Sequence, residues 1–461
     1  MVAIGENILW LLVLIGVMIM IHEFGHFWAA RYFDVKVEAF SLGFGPRLFG
    51  FRRGETDYRV SAILIGGYVK MAGDSVPLEP ATVDSGGKPA LTLPAAWAGT
   101  AADARSLLAK PRWQRVIIAA AGPIMNVVLA IAILTGLYMF KYQKISDADL
   151  YAVIDHVAAG SPAAQAGIKD GDRIVKLDGK RNPTWEDIGE KEVTGAYRPL
   201  YITVERNGQN IDCIVTPTLS ERLGVGYAGW DERGELQLSF VMPAYPAEKA
   251  GLKKGDLVLA VNGQPIHSPT RFQEATRSSG GKPIEIEYQR DGKTDRVSVQ
   301  PVFADLDGTK RWMIGVGPQQ KLHYTTTQLT FPAALGESLE ENGRGAFLLV
   351  KVIQGMIERR ISAKNLSSPF GIAQMSGAAA REGAVEFLGF MAMISLQLAI
   401  FNLLPIPIMD GGAILMLLIE MVMQRDLSLN VKEAVFKVGF VFIMMLLAFA
   451  IFNDISRYAR G

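Results

Sequence analysis

Cysteine is nearly missing from this chain: Cys213 is the only one, which excludes a framework of internal disulfides. An excess of either charge is missing too. Lys and Arg number 47 against 46 Asp and Glu, so the whole-chain balance leaves no footprint for nucleic acid, and no nucleic-acid partner is expected. Histidine is scarce, at five. A removed leader is not expected, because no basic side chain precedes the apolar run at 8–21 and no small-residue cleavage site follows it. The absence that decides the class is local. Residues 116–140 and 387–409 carry no charge, and each run exceeds the roughly 20 residues a helix needs to cross about 30 Å of hydrocarbon. The runs at 8–21 and 438–452 are shorter and reach that length with their flanks. Four transmembrane helices are expected.

Basic residues set the expected orientation. None precedes the first run, whereas Arg47, Arg52, Arg53, Arg59 and several others lie between the first two. This places 30–112 in the cytoplasm and the long middle region on the outer side. Arg425 and Lys432 agree with that placement, while Arg457 and Arg460 oppose it.

Along the chain, 1–75 holds the first span and a β element, read from the glycines and β-branched residues around Tyr58–Lys70 as one or two short strands with a break at Gly66-Gly67. A cytoplasmic loop follows over 76–112, with no periodicity at 77–104, and then the second span at 113–141. A repeat comes next. The stretch from Ser161 to Gly179, with Ala-Gly-Ile-Lys-Asp-Gly-Asp at its centre, returns from Tyr245 to Gly263 as Ala-Gly-Leu-Lys-Lys-Gly-Asp. Each copy predicts a short helix closed by Gly, a Gly-Asp turn, a strand, and an Asp-Gly or Asn-Gly hairpin turn. The period is too long for a solenoid, so two small tandem domains are expected over 142–220 and 221–305. Their pattern resembles the PDZ domain; two β-rich domains without peptide binding are the alternative. Residues 306–385 turn helical, with a stripe of Leu348, Leu349, Val352, Ile353, Met356 and Ile357 that suits a helix in the membrane interface or one packed on the soluble domains. The last two spans fill 386–461. The expected fold is thus a polytopic α-helical membrane protein with four transmembrane helices, a membrane-associated β element and two inserted PDZ-like α/β domains.

His22-Glu-Phe-Gly-His26 carries the chemistry. On a helix, residues four apart differ by about 40° around the axis, so both imidazoles leave one face and reach one Zn²⁺. Glu23 sits beside them as a base for water. Two buried histidines satisfied by hydrogen bonds are the bland reading, yet it leaves three ionisable groups in an apolar span unexplained. A catalytic zinc takes three protein ligands. His156, His267 and His323 fall in or near the soluble region, so the third ligand is expected to be a carboxylate in another span. Asp410 ends the charge-free stretch of the third, after Pro405 and Pro407 break its helix. Asn402 either donates to a developing oxyanion or holds the broken helix together. Rival readings are a metal transporter, which lacks its expected helix repeat here, and an inactive scaffold, which leaves Glu23 without a purpose.

His22-Glu-Phe-Gly-His26 in the first span, Gly122-Pro-Ile-Met-Asn126 in the second, and Asn402, Pro405, Pro407 and Asp410-Gly411 in the third resemble the site-2 protease family of intramembrane zinc metalloproteases. The motifs span nearly the whole chain in the family's order. The resemblance implies Zn²⁺ held by His22, His26 and Asp410, Glu23 as base, Asn402 assisting, and Gly66, Gly67 and Tyr68 beside the substrate as an edge strand. It also implies a bacterial inner membrane, surrounding lipid, and single-span substrates already trimmed on the outer side, such as an anti-sigma factor and remnant signal peptides. Ala413 stands where related sequences often carry His after Asp-Gly-Gly; that His is not a ligand, so no loss of activity is expected.

Overall fold

The computed structural model describes residues 2–73, 104–145, 151–221, 223–306, 309–321, 323–365 and 368–460. Most of the loop expected over 77–104 lies outside these residues. The described chain forms two compact units, one built of the spanning helices and a β hairpin, the other of the two repeats.

Among the described residues, four helices are long and apolar enough to cross a bilayer: Gly5–Tyr32, Arg112–Phe140, Ala384–Leu403 and Asn430–Asp454. The first ends where Asp34 turns left-handed at φ 53° and the N–H of Val35 reaches back to the carbonyl of Ala30 at 2.8 Å. That closes the last turn with a Schellman-type bond and sends the chain into the hairpin. Leu14 and Met18 of the first helix bury against Phe387 and Met391 of the third. Nearer the hairpin, Ala29 and Ala30 meet Val37, Val69 and Ile118, so the sheet is seated on the first two helices. The fourth helix joins the rest through Lys432 on Glu420, and through Asp454, which accepts from Ser368.

The β element is larger than the sequence suggested. Strands Val37–Arg53 and Thr56–Met71 bend so far that they pair with each other twice: Phe40 lies opposite both Val69 and Tyr58, and Tyr58 opposite both Phe40 and Phe51. Residues 67–71 form an outer edge of this sheet, with no further strand beside them among the described residues.

Asp410 is not at the end of the third span, as expected, but in the first turn of a further helix, Asp410–Met423. The third helix stops at Leu403 because Pro405 and Pro407 supply no N–H to continue its ladder. The chain then turns through Ile408, at φ 95°, before the new helix begins. A β-branched residue in that region stores strain of order 1–3 kcal/mol, which the surrounding fold must hold.

The repeats are two copies of one arrangement. Helices Pro162–Gln165 and Pro246–Lys249 each lead through a left-handed glycine to strands Arg173–Leu177 and Leu257–Val261. Asp178-Gly179 and Asn262-Gly263 then turn with φ positive at both residues, as a two-residue hairpin requires. Ile188, Ile202 and Val204 fill one core; Phe272, Ile284 and Ile286 fill the other. Both copies run past the boundaries read from sequence. Trp230–Glu232 pairs with Ile154–Val157 of the first, and Val316–Lys321 with Glu235–Val241 of the second. Strand pairing across long gaps leaves no local signal of where a copy ends.

A shared device locks each copy. Arg206 holds Asp172 with bonds of 2.7 and 2.6 Å and donates to the carbonyl of Gly167; Arg290 does the same to Asp256 and Gly251. Each Asp is 1% exposed, so losing its partner leaves a desolvated carboxylate. Arg206→Met and Arg290→Met are each expected to weaken their own copy by about 1.5–3 kcal/mol. Hydrogen exchange on the full chain should show faster exchange confined to that copy; unchanged exchange means the pair contributes nothing.

Of residues 306–385, expected to turn helical, the first part forms strands Thr309–Met313, Val316–Lys321 and Tyr324–Thr327, the last two paired with strands distant in sequence. Helices Phe331–Ile357 and Pro369–Glu382 follow. The last turns of the former rest on the first repeat through Lys351 to Glu190 at 2.7 Å, and just past its end Arg360 donates to the carbonyl of Thr194. The latter lies on the first spanning helix, where Arg381 donates to Asn7.

Candidate metal centre

His22 and His26 project from one face of the first helix, their rings 4.8 Å apart. Asp410 reaches them from the broken segment: its Oδ2 is 3.1 Å from Nε2 of His22 and its Oδ1 is 3.6 Å from Nε2 of His26. The two Nε2 atoms are 3.2 Å apart. Three ligand atoms within 4.8 Å of one another form the only such His, Cys and carboxylate group among the described residues. His156, His267 and His323 are not part of it.

Whether these side chains suit a cation turns on which nitrogens carry protons. Nδ1 of His26 lies 2.8 Å from the carbonyl of Ile118. A carbonyl only accepts, so Nδ1 carries the hydrogen and Nε2 turns its lone pair towards the shared point. Nδ1 of His22 faces the amide of Asn126 at 3.2 Å, and Oδ1 of Asn126 is buried without a partner. Turning that amide by 180° aims Oδ1 at Nδ1–H and frees Nε2 of His22 in the same way. Two imidazole lone pairs and one carboxylate converging on a point are a donor set for zinc. Asn126 is itself held from behind, its carbonyl accepting from Ser395 of the third helix at 2.9 Å.

The second helix makes room for this cluster. A Cβ built on Gly122 would sit 2.8 Å from Nε2 of His22 and closer still to Nε2 of His26, so only glycine fits.

A cavity of about 540 Å³ opens on the cluster, lined also by Glu23, Gly67, Tyr68, Val69, Asn402 and Arg115. Glu23 accepts from the backbone N–H of Val69, which fixes the carboxylate beside the histidines. Gly67 lets the strand approach closely: a Cβ there would meet Cγ of Glu23 at 3.1 Å. Tyr68 stacks on Phe44, ring centres 6.1 Å apart. Gly66 precedes the lining residues at φ 114° and does not line the cavity itself. The side chain of Asn402 faces the cavity and makes no hydrogen bond among the described residues, so no such bond ties it to the broken segment.

The sequence motifs therefore meet in space. What sequence reasoning missed is the support: Asn126 and Gly122 stood in a recognised motif without a role, and the carbonyl of Ile118 has no sequence signal at all.

Residues 10–446 match the family described as Peptidase family M50. The regulator of sigma-E protease RseP of Escherichia coli K12 is 31% identical over 467 residues, covering 97% of this chain and 97% of that protein. A protein of Vibrio cholerae, provisionally named a zinc metalloprotease, is 32% identical over 478 residues, covering 98% and 99%. Among solved structures, the PDZ domain of an SdrC-like protein of Listeria monocytogenes aligns with 19% of this chain and 90% of that domain, at 24% identity and a TM-score of 0.17. Matched almost from end to end, with its apolar helices and histidine pair in place, the chain belongs to peptidase family M50, the site-2 proteases, and is a membrane metalloprotease.

Proposed function

We propose that this chain is an intramembrane zinc endopeptidase that cuts single-span membrane proteins within or near their membrane segments, once their ectodomains have been removed. The observation that carries the reading is one cavity onto which the three ligand atoms, Glu23 and a free strand edge all open. The relatives named for regulation of sigma-E favour an anti-sigma factor as substrate and envelope stress signalling as context; remnant signal peptides present the same chemistry.

A transmembrane helix satisfies its own backbone and hides its peptide bonds, so a substrate must open locally before it is cut. Residues 67–71 offer the backbone groups of a sheet edge, save the N–H of Val69 that Glu23 holds, to the opened segment, which adds as a strand and is held extended past Glu23. His22, His26 and Asp410 hold the zinc. When bound, zinc supplies a Lewis acid that polarises the scissile carbonyl and makes water more acidic. Glu23 takes a proton from the attacking water and hands it to the leaving amine, so one peptide bond and one water become a carboxylate and an amine. Asn402 donates to the oxygen on which charge develops. Ile118, Met416 and Leu417 line the same cavity, and their apolar side chains lower the local dielectric, which strengthens each of these interactions.

The basic residues between the first two spans put their connection in the cytoplasm and the repeats in the periplasm of a bacterial inner membrane. Read as PDZ-like domains, the repeats differ. The second keeps an apolar recess of about 80 Å³ between helix Pro269–Ser278 and strand Val316–Lys321, lined by Phe240, Phe272 and Ile314, into which the new end of a trimmed substrate fits. In the first, the helix Trp185–Thr194 sits on Gly226, and Glu192 occupies the N–H of Ala228 at 2.6 Å. Its groove is closed by its own chain.

The test is cleavage of a single-span anti-sigma factor by the purified protein in detergent. A trimmed substrate is expected to be cut in its membrane segment, the intact one to resist, and a zinc chelator to stop the reaction. Cleavage confined to a soluble domain, or indifference to chelation, overturns the reading.

A further inference from the structure

The wall of the cleavage cavity carries a cation that the reaction above does not use. Arg115, in the first turn of the second spanning helix, is 7% exposed and lines the same cavity as His22, Glu23, His26 and Asp410. Its guanidinium makes no hydrogen bond or ion pair with any described residue. The neighbouring charges are committed elsewhere. Arg112 is paired with Asp426 at 2.8 Å. Lys432 is paired with the fully buried Glu420 at 2.7 Å, on the oxygen that also accepts from the N–H of Leu427. Glu420 and Asp426, the carboxylates whose charge reaches Arg115, thus each bond another cation, and Asp410 faces the two histidines. Of the three cations, Arg115 is the one without a bonded partner among the described residues.

An arginine buried over most of its length whose guanidinium has no protein partner is costly to keep, and costlier still in a chain surrounded by lipid. A resident structural role would have paired it, as Arg112 and Lys432 are paired. A group that waits for an anion brought by the reaction explains both its burial and its exposure to the cavity. Hydrolysis makes such an anion: the substrate amide is neutral, whereas the new C-terminus of the product is a carboxylate. The planar fork of Arg matches a carboxylate with two parallel charge-assisted bonds.

We infer that Arg115 is a carboxylate-binding group of the cleavage cavity, whose ligand is the C-terminal carboxylate of the cleaved peptide. It draws that end away from the zinc ligands, and so positions product for departure while leaving the neutral substrate unrecognised. An acidic side chain beside the scissile bond offers the same chemistry and is the other source of the anion. The inference rests on the protease reading of this cavity.

Binding by protein stripped of metal tests it, because the affinity of zinc for carboxylates then plays no part. Three apolar peptides are compared in detergent by fluorescence anisotropy: one with a free C-terminal carboxylate, the same peptide amidated, and the amidated peptide with one internal Asp. The unaltered protein is expected to bind the free acid about tenfold more tightly than the amide. Arg115→Gln should erase that preference and leave the affinity for the amide unchanged. Arg115→Lys should keep part of it, and keeps the test alive if the Gln variant does not fold. Arg112→Gln, which removes an equal charge already paired, should keep all of it. A preference for the internal Asp instead supports the site and assigns its ligand to a substrate side chain. Equal binding of all three peptides, or a preference that survives in Arg115→Gln, overturns the inference. Failure of the protease reading would show separately, as absence of substrate cleavage by the unaltered zinc-loaded protein.

Discussion

Glu23→Gln is expected to slow cleavage by at least about 10²-fold while the protein keeps about one zinc per chain. Gln has the size of Glu and retains an oxygen to accept the N–H of Val69, so the strand stays against the helix. His22, His26 and Asp410 are untouched, and the metal has no reason to leave. What disappears is the group that takes a proton from water and returns it to the amine. Removing general acid–base help alone costs 10²–10⁴-fold in typical enzymes. Zinc content by mass spectrometry and cleavage of the trimmed substrate are measured on one preparation. Near-normal turnover would show that Glu23 is a structural neighbour of the site; loss of both zinc and activity would leave its role as base unproven and make it a support for the ligands.

The other large effect expected comes from a single methyl group. Gly122→Ala places a Cβ 2.8 Å from the Nε2 of His22 and nearer to that of His26, on the side from which both face Asp410. Neither ring can yield without losing its anchor, since His26 is fixed on the carbonyl of Ile118 and His22 on Asn126. The helix cannot retreat either, because Gly122, Pro123 and Asn126 are buried. One or both imidazoles must therefore rotate off the shared point. Zinc affinity should fall at least 10- to 100-fold, the range seen when ligand supports are disturbed, and cleavage should fall with it. Gly136→Ala is the control: it lies on the same helix with open space around it, and should change neither. Full zinc occupancy in Gly122→Ala would mean the cluster can re-form around the methyl group, and that the close approach of the second helix is incidental.

The candidate site was legible because its chemistry is local on both sides. Two histidines four apart on a helix share a face whatever the rest of the chain does, and an acid after two prolines in an apolar run is too costly to keep unless it faces protein or water. The repeats were legible for a similar reason: Asp178-Gly179 and Asn262-Gly263 need left-handed backbone at both turn residues, and few residue pairs provide it. The limits of the copies were not, because Trp230 and Val316 complete their sheets by pairing with strands distant in sequence.

By itself, then, the sequence determined that the chain has helices fit to enter a membrane, that two histidines spaced to share one metal lie on the first of them, and that two similar domains are inserted. Each of these depends on hydrophobicity or on geometry within one turn of backbone, which composition and spacing encode directly. Only the tertiary structure decided that Asp410 opens a helix rather than ending one, that the outer edge of a doubled-back hairpin delivers Val69 to Glu23, and that Gly122 leaves the space in which two histidines meet. It alone also left Arg115 unpaired beside them. These depend on which surfaces of separate elements come into contact. Contact is set by packing among all the spans at once, and no segment carries it alone.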